Sequence, residues 1–401
     1  MSRKRLTWLF GILVVMPPTT RYIPFGIDIG GVGFNLPRIS MLTCGILAIF
    51  TLLYRPQLRL SYSEIGILSL LLLLIFSVAW SIAPQESVRR ATDLLFYMMY
   101  FFAIVVYFNR KDSLNIFVNV LVIPATTVIA YSILNLIYSS PGWRLAGLIS
   151  RNGVARDMVA MLPILAFSIY DQNRIQAGVR LILVGLMILF IPLSGSRSGL
   201  VALTFTLVLV ILVWGNRVKG LSLTSLTAVS VVSLAAMAAG IIISSTVGIL
   251  PERILRIPVI NGEISPEVLG EGRYQVRLAE LGTIQSYPLT GIGYGAFFQY
   301  SAERFGIGNY RAHSLVTRVW MGAGLPGVLL LLSTGGMVLR NYIRRIILDR
   351  SDETLCLSGC LIGLLATTLT GMFNIVIIQP LFYILVGVGS SAVLMSGERN
   401  H

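Results

Sequence analysis

Apolar stretches long enough to cross a bilayer follow one another along this chain, separated by short polar connections. A span needs about 20 largely apolar residues, because each adds 1.5 Å of rise and the hydrocarbon core is roughly 30 Å thick. Such stretches lie near residues 6–20, 39–54, 65–82, 94–108, 114–138, 157–170, 178–193, 199–214, 222–249, 316–339, 355–374 and 376–396. The pattern predicts an all-α polytopic membrane protein with about twelve transmembrane helices. The stretches at 94–108 and 157–170 are the shortest and must borrow flanking residues. One long polar interval, Pro251 to Arg318, interrupts the series. Its first part, Pro251 to Gly272, has the Pro, Gly and Glu content of an irregular loop. The segment RYQVRLAELGTIQSY, Arg273 to Tyr287, predicts a short surface helix, with Arg273 and Arg277 one turn apart on one face and Pro288 ending it. GIGYGAFFQY then forms a glycine-rich turn in which small residues let the backbone approach a ligand or a second helix. No internal repeat and no low-complexity tract is present.

Composition agrees. The chain is 55% hydrophobic and 12% charged, against roughly 25% charged residues in a soluble domain, and its mean hydropathy is +0.82. A soluble fold is excluded on that basis. The net charge of +14 would point to nucleic acid in a soluble protein. In a membrane chain it reflects basic residues gathered in cytoplasmic loops and near anionic lipid, so membrane lipid is the expected partner and nucleic acid is not. The opening Met1-Ser2-Arg3-Lys4-Arg5 and the apolar run to Met16 look like a signal peptide, but Pro17 and Pro18 stand where small cleavage-site residues are needed. The run is therefore read as a start-transfer helix that is retained.

Placing Arg3, Lys4 and Arg5 in the cytoplasm puts Arg55/Arg59, Arg110/Lys111, Arg174/Arg180, Arg217/Lys219 and the cluster Arg340, Arg344, Arg345 and Arg350 on the same side. Both termini are then cytoplasmic, and the loop at about 250–315 faces outward. Total basic residues divide almost evenly between the sides. Their kind does not: Lys4, Lys111 and Lys219 all fall inside, and every outer base is arginine. A guanidinium offers a planar fork of donors that suits phosphate oxygens and stays charged when partly desolvated.

The candidate chemistry lies on that outer side. His313, in Tyr310-Arg311-Ala312-His313-Ser314, is the one histidine besides the terminal His401. A lone histidine is ordinarily a packing residue, but an imidazole at the mouth of a bundle titrates near neutral pH and can take a proton from an attacking hydroxyl. Arg197 sits in Pro192-Leu193-Ser194-Gly195-Ser196-Arg197-Ser198-Gly199, between two apolar stretches. The bland reading is an arginine snorkelling to the interface; the serines and glycines instead suggest an open, donor-rich turn suited to an anion. For Arg277 the alternative is a surface ion pair to Glu280 at i, i+3. Glu252, Glu263, Glu267, Glu271, Glu280 and Glu303 form no Asp-x-Asp or paired-carboxylate arrangement for a divalent ion around a diphosphate, so metal-free chemistry is expected, with no cofactor. Cys44, Cys356 and Cys360 lie in apolar runs and give neither a disulfide framework nor a thiolate site. Cys356 and Cys360 share a helical face as packing residues.

The SGSRSGL turn, the segment GEGRYQVRLAELGTIQSYPLTGIGYGAF and the segment AHSLVTRVWMGAGLPGVLLLL, in this order and spacing, resemble the shared domain of the O-antigen ligase and O-antigen polymerase superfamily. The resemblance covers roughly residues 185–345, and RNGVARDMVAMLPIL from Arg151 is similar to the family's preceding Asn-containing element. The family's His-Asn pair is His313-Ser314 here, and its Gly-Arg-hydrophobic-x-x-Trp pattern appears as Gly272-Arg273-Tyr274-Gln275-Val276-Arg277 without the Trp. The chain thus divides into helices at 1–184, a ligase/polymerase-like core at 185–345 that includes the loop at 250–315, and C-terminal helices at 346–401.

The resemblance implies a glycosyltransferase of the bacterial inner membrane that uses an undecaprenyl-diphosphate-linked glycan on the periplasmic face. The acceptor would be a sugar hydroxyl, on a glycan in a polymerase or on lipid A core in a ligase. His313 would activate it, Arg197 and Arg273 would stabilise the diphosphate leaving group with Arg277 or Arg311 in support, and single displacement would invert the anomeric centre. A lipid-linked oligosaccharide flippase or other multi-span transporter is the alternative. Transporters generally place ionisable or broken-helix sites near the bilayer midplane, whereas the bases here gather at the outer boundary.

Overall fold

The computed structural model describes residues 3–23, 26–29, 32–54, 60–109, 112–138, 151–170, 172–217, 235, 238, 242, 273–307, 312, 314–348, 353–371 and 379–391. These are helical apart from turns and one antiparallel hairpin that hydropathy did not foretell, β1 (Gly26–Ile29) paired with β2 (Val32–Asn35). The helices are α1 (Arg3–Thr20), α2 (Leu36–Tyr54), α3 (Tyr62–Phe76), α4 (Pro84–Phe108), α5 (Ser113–Val120), α6 (Val122–Tyr138), α7 (Arg151–Ser168), α8 (Arg174–Leu193) and α9 (Arg197–Arg217). After the long polar interval come α10 (Arg273–Ser286), α11 (Phe297–Phe305), α12 (Leu315–Leu348), α13 (Glu353–Gly371) and α14 (Pro380–Ser391).

Among the described residues, eight helical stretches are long and apolar enough to cross a membrane, and the apolar parts of α1 and α14 are shorter. Helix α7 falls outside that set because Arg151, Arg156 and Asp157 stand on it. The predicted stretch at 222–249 lies outside the described residues except for 235, 238 and 242, as does the loop Pro251 to Gly272. Several boundaries differ from expectation for physical reasons. The short stretch at 94–108 is the end of a longer helix that starts at Pro84, where proline's fixed φ and missing N–H suit the first turn. The stretch at 114–138 is divided at Leu121 into α5 and α6. Helix α12 runs on past 339 and takes in Arg340, Arg344 and Arg345.

Helices α4 and α7 form the centre. Tyr100, Phe101, Ala103, Ile104, Tyr107 and Phe108 of α4 are all buried, as is nearly every residue of α7 from Val154 to Ser168. A stretch that is apolar all round belongs in such a position, and α7 is buried although it carries Arg156 and Asp157. Buried tyrosine hydroxyls find backbone carbonyls: Tyr100 donates to Val14 O at 2.5 Å, Tyr107 to Ser113 O at 2.9 Å and Tyr342 to Leu385 O at 2.6 Å. Gly359 and Gly363 of α13, spaced as Gly-x-x-x-Gly, lie against the α7 backbone at Pro163 and Ala160, where side chains would hold the helices apart. The outward faces carry Ile46, Phe50 and Leu53 on α2, Val208 and Leu212 on α9 and Leu329 and Leu332 on α12, all exposed. So much unpaired apolar surface fits an apolar solvent. Cys44 and Cys360 are buried and Cys356 half-buried, all as free thiols.

Candidate functional site

Helix α12 is broken at Gly324, between two and three turns after its start, and the break builds the site. Gly324 has φ 65° and ψ −160°, outside helical geometry. In an unbroken helix the Leu325 N–H would donate to the Met321 carbonyl. Here Leu325 N donates instead to Pro288 O at 3.0 Å, and Met321 O accepts from Ile292 N at 2.7 Å. The glycine-rich loop after α10 thus replaces the lost helical bond with two of its own. A Cβ on Gly324 would overlap the Leu289 carbonyl, so only glycine suits both the backbone angle and the loop's approach. Trp320 Nε1 adds a bond to Pro288 O at 3.0 Å.

The loop is held from its other side by the segment between α3 and α4. Trp80 Nε1 donates to Thr290 O at 2.9 Å, Ile82 N to Ile292 O at 3.2 Å, and Tyr294 N to Ser77 Oγ at 2.8 Å. Gly295, with φ 92°, lies under the stem of Arg90, whose Cγ would sit 2.5 Å from an added Cβ. These contacts bring α4, the glycine loop and the first turns of α12 around one small cleft that is open to solvent. Its lining includes Arg90, Gly293, Gly295, Phe298, Ala312 and Arg318.

The two arginines are in different electrical states. Arg90 donates to the Glu86 carboxylate, with Nε and Nη2 both 2.6 Å from Oε1, and Asp93 lies 4.0 Å away. Asp93 is itself paired with Arg38. The Arg318 side chain has no carboxylate partner among the described residues. It lies over the Tyr294 ring at 5.2 Å from the centroid, is 8% exposed, and its Nη1 is buried with no hydrogen-bond partner among the described residues. A cation over an aromatic face gains about 0.5–2 kcal/mol, well short of the several kcal/mol that burying a charge costs.

The predicted site residues are distributed as follows. His313 and Arg311 lie outside the described residues. Ala312 between them is described, is buried, and lines the cleft. Ser314, on the other side of His313, caps α12 by accepting Arg318 N on its carbonyl at 3.1 Å. Arg273 is the first residue of α10; its side chain is not among those described. Arg277, one turn on, donates to Glu280 at 2.9 Å, which is the ion pair weighed from the sequence. The Glu280 side chain is 1% exposed and that of Arg277 39%, so the pair fastens α10 at its buried edge. Neither Arg197 nor Arg277 lines the Arg90–Arg318 cleft.

Arg197 is exposed and opens α9, but the turn before it is closed where an open, donor-rich one was expected. Ser194 and Ser196 are buried. Ser194 Oγ donates to Ile191 O at 2.6 Å and accepts Ser196 N at 3.2 Å. Ser196 Oγ accepts Gly199 N at 3.1 Å, the bond of a helix N-cap, and donates to Asn152 Oδ1 at 2.7 Å. The serines hold Arg197 in place at the start of α9.

Asn152 belongs to α7, whose next turn carries a buried polar knot. Asp157, 2% exposed, accepts Tyr22 OH at 2.7 Å, Arg21 Nη1 at 3.3 Å and Gln379 Nε2 at 3.2 Å. This one carboxylate joins the end of α1, the body of α7 and the approach to α14. Arg156 beside it is also buried.

Sequence reasoning did not single out Arg90, Arg318 or Asp157. Arg318 and Asp157 did leave a signal, since each is a charge at the edge of an apolar run, where ionisable residues are costly and tend to be functional or paired. Arg90 left none, because nothing in one dimension relates residue 90 to residue 318.

The O-antigen ligase family model matches residues 182–332. That span takes in the Ser196–Arg197 turn, α10, the glycine loop and the break at Gly324. No curated protein matches the chain.

Proposed function

We propose, with the support of the O-antigen ligase family match at residues 182–332, that this protein is a membrane glycosyltransferase of cell-surface polysaccharide assembly, of the O-antigen ligase and polymerase superfamily. Its donor is a glycan linked to undecaprenyl diphosphate, and its acceptor a sugar hydroxyl on a growing glycan or on lipid A core. The site faces the periplasm from the inner membrane, and both termini are cytoplasmic.

One observation carries this reading: Ala312, between Arg311 and His313 in the sequence, lines a cationic cleft that α4 builds with the glycine loop and the start of α12, the last two inside the matched residues 182–332. Glycosyl transfer from a diphosphate needs a proton acceptor near the attacking hydroxyl and positive charge where the leaving group forms. His313 takes the acceptor's proton as its oxygen attacks the anomeric carbon. The bond from that carbon to the diphosphate oxygen breaks, and undecaprenyl diphosphate leaves with both electrons. Attack opposite to the leaving group inverts the centre. Arg197, fixed by the Ser196 cap, and Arg273 at the start of α10 supply the countercharge. Arg277, anchored by Glu280, and Arg311 support them, and no metal takes part.

The break at Gly324 is the observation that favours the transporter alternative, since transporters bind substrate at discontinuous helices. Here the break is stitched to a loop close to one end of α12, which favours a fixed site over a moving gate. Reconstituted liposomes separate the readings. With lipid-linked repeat units, the wild-type protein forms new glycosidic bonds, while His313→Ala and Arg197→Ala insert normally and form none. Full transfer by either variant removes the mechanism, and movement of the lipid-linked glycan without bond formation makes the protein a transporter. Adding lipid A core acceptor to a parallel reaction separates ligase from polymerase.

A further inference from the structure

We propose that the cleft between α4 and the start of α12 is a phosphate subsite, with Arg318 as its buried anchor and Arg90 as its second wall. Neither residue belongs to the diphosphate set proposed above. The inference deepens that reading, and rests on it only for whose phosphate is bound.

Charge supports it first. Around Arg90, the Glu86 and Asp93 carboxylates and the Arg38 guanidinium answer one another. Arg318 is answered by none of them. It is more than nine-tenths buried, and its Nη1 has no acceptor among the described residues. A guanidinium left this way is costly unless something supplies an oxyanion. Shape supports it second. Gly293, Gly295 and Gly322 line the cleft together with Phe297, Phe298, Ala312 and Met321, so part of its wall is bare backbone beside the two arginines. Backbone placement supports it third: Ala312, whose neighbours in the sequence are Arg311 and His313, lines the same cleft. A planar fork of donors on a rigid helical segment suits phosphate oxygens better than a lysine would.

The phosphate has two sources, the donor's diphosphate or a phospholipid headgroup, and the test distinguishes them. The full-length protein in neutral detergent is titrated with inorganic diphosphate, with binding read by calorimetry and by the rise in melting temperature that a native-state ligand produces. Arg318→Gln should weaken binding by about tenfold or more, the scale of a lost charge-assisted hydrogen bond, and Arg318→Lys should recover part of it. Without ligand, Arg318→Gln should melt at or above the wild-type temperature, because it removes a buried charge that has no carboxylate partner among the described residues. Wild-type affinity in a folded Arg318→Gln protein overturns the proposal. If that variant does not fold, Arg318→Lys with undiminished affinity, together with unchanged binding in Arg90→Gln, overturns it equally.

For the source, the titration is repeated in phosphatidylcholine nanodiscs with and without phosphatidylglycerol. An unchanged diphosphate affinity assigns the subsite to the donor; competition by phosphatidylglycerol assigns it to the headgroup. The proposal and the functional reading fail separately. His313→Ala should lose transfer yet bind diphosphate normally, so active His313→Ala with Arg318-dependent binding removes the mechanism and leaves the subsite.

Discussion

Asp157 and Arg318 are both charged, both almost fully buried, and both on helices of the bundle, yet their surroundings are opposite. Asp157 receives three donors, from Tyr22, Arg21 and Gln379, and Arg156 adds a further positive charge beside it. Arg318 has an aromatic face beneath it, lines a cleft, and has a nitrogen with no hydrogen-bond partner among the described residues. A charge answered on all sides by the protein holds elements together. One left unanswered is stable only when a ligand answers it, or when other interactions bear its cost. The comparison divides two buried charges into an architectural one and a receptive one, which hydropathy alone cannot do.

The strongest way to break that division is to remove the architectural charge. Asp157→Ala would take the carboxylate away from the half-buried Arg21 and the buried Arg156 and free the Tyr22 hydroxyl and the Gln379 amide. Breaking a buried ion pair from one side costs about 3–5 kcal/mol, so thermal unfolding in detergent should show a large loss of stability. A variant as stable as the wild type would mean that burial and compensation do not mark structural charges here. The contrast with Arg318→Gln, expected to lose no stability, is the sharper reading because the two substitutions remove charges of similar burial.

A smaller effect is expected at the break in α12. Gly324→Ala places a Cβ into the Leu289 carbonyl at a positive φ. The strain of such a backbone is about 1–3 kcal/mol before the overlap is counted. The loop should lift from α12, lowering the melting temperature by less than Asp157→Ala does while also weakening diphosphate binding. Unaltered binding would show that the receptive cleft does not depend on the stitched loop.

These residues also show how much one dimension carries. Spans were legible because long apolar runs survive folding as helices, and the surface helix expected at 273–287 is α10, Arg273–Ser286. Helix α11 was missed because FFQYSAERF directly follows a glycine-rich turn and its boundary carries no cap signal. The break at Gly324 was written in Gly324-Leu325-Pro326, two strong punctuators around one residue, but an uninterrupted apolar context concealed it. Its partners, Pro288 and Ile292, lie tens of residues away. The two arginines that line the cleft, Arg90 and Arg318, were not singled out in the sequence. Which of them is compensated was not legible either, because compensation depends on neighbours such as Glu86 and Tyr294 that only the fold supplies. The serines before Arg197 were misread for the same reason: a hydroxyl looks like a donor to an anion until the backbone groups around it are known.

The smallest effect concerns that turn, where the groups are neutral and compensation should matter least. Ser196 Oγ closes the N-terminus of α9 through Gly199 N and reaches α7 through Asn152. Ser196→Ala removes both bonds at a buried position, and loss of an N-cap costs about 1 kcal/mol. Unfolding should reveal that modest loss. Transfer activity should fall further than stability does, because Arg197 follows the cap directly. Ser196→Thr keeps a capping hydroxyl and should restore most of both. If alanine lowers stability yet leaves transfer untouched, Arg197 does not depend on its cap, and the turn belongs with Asp157 as architecture alone.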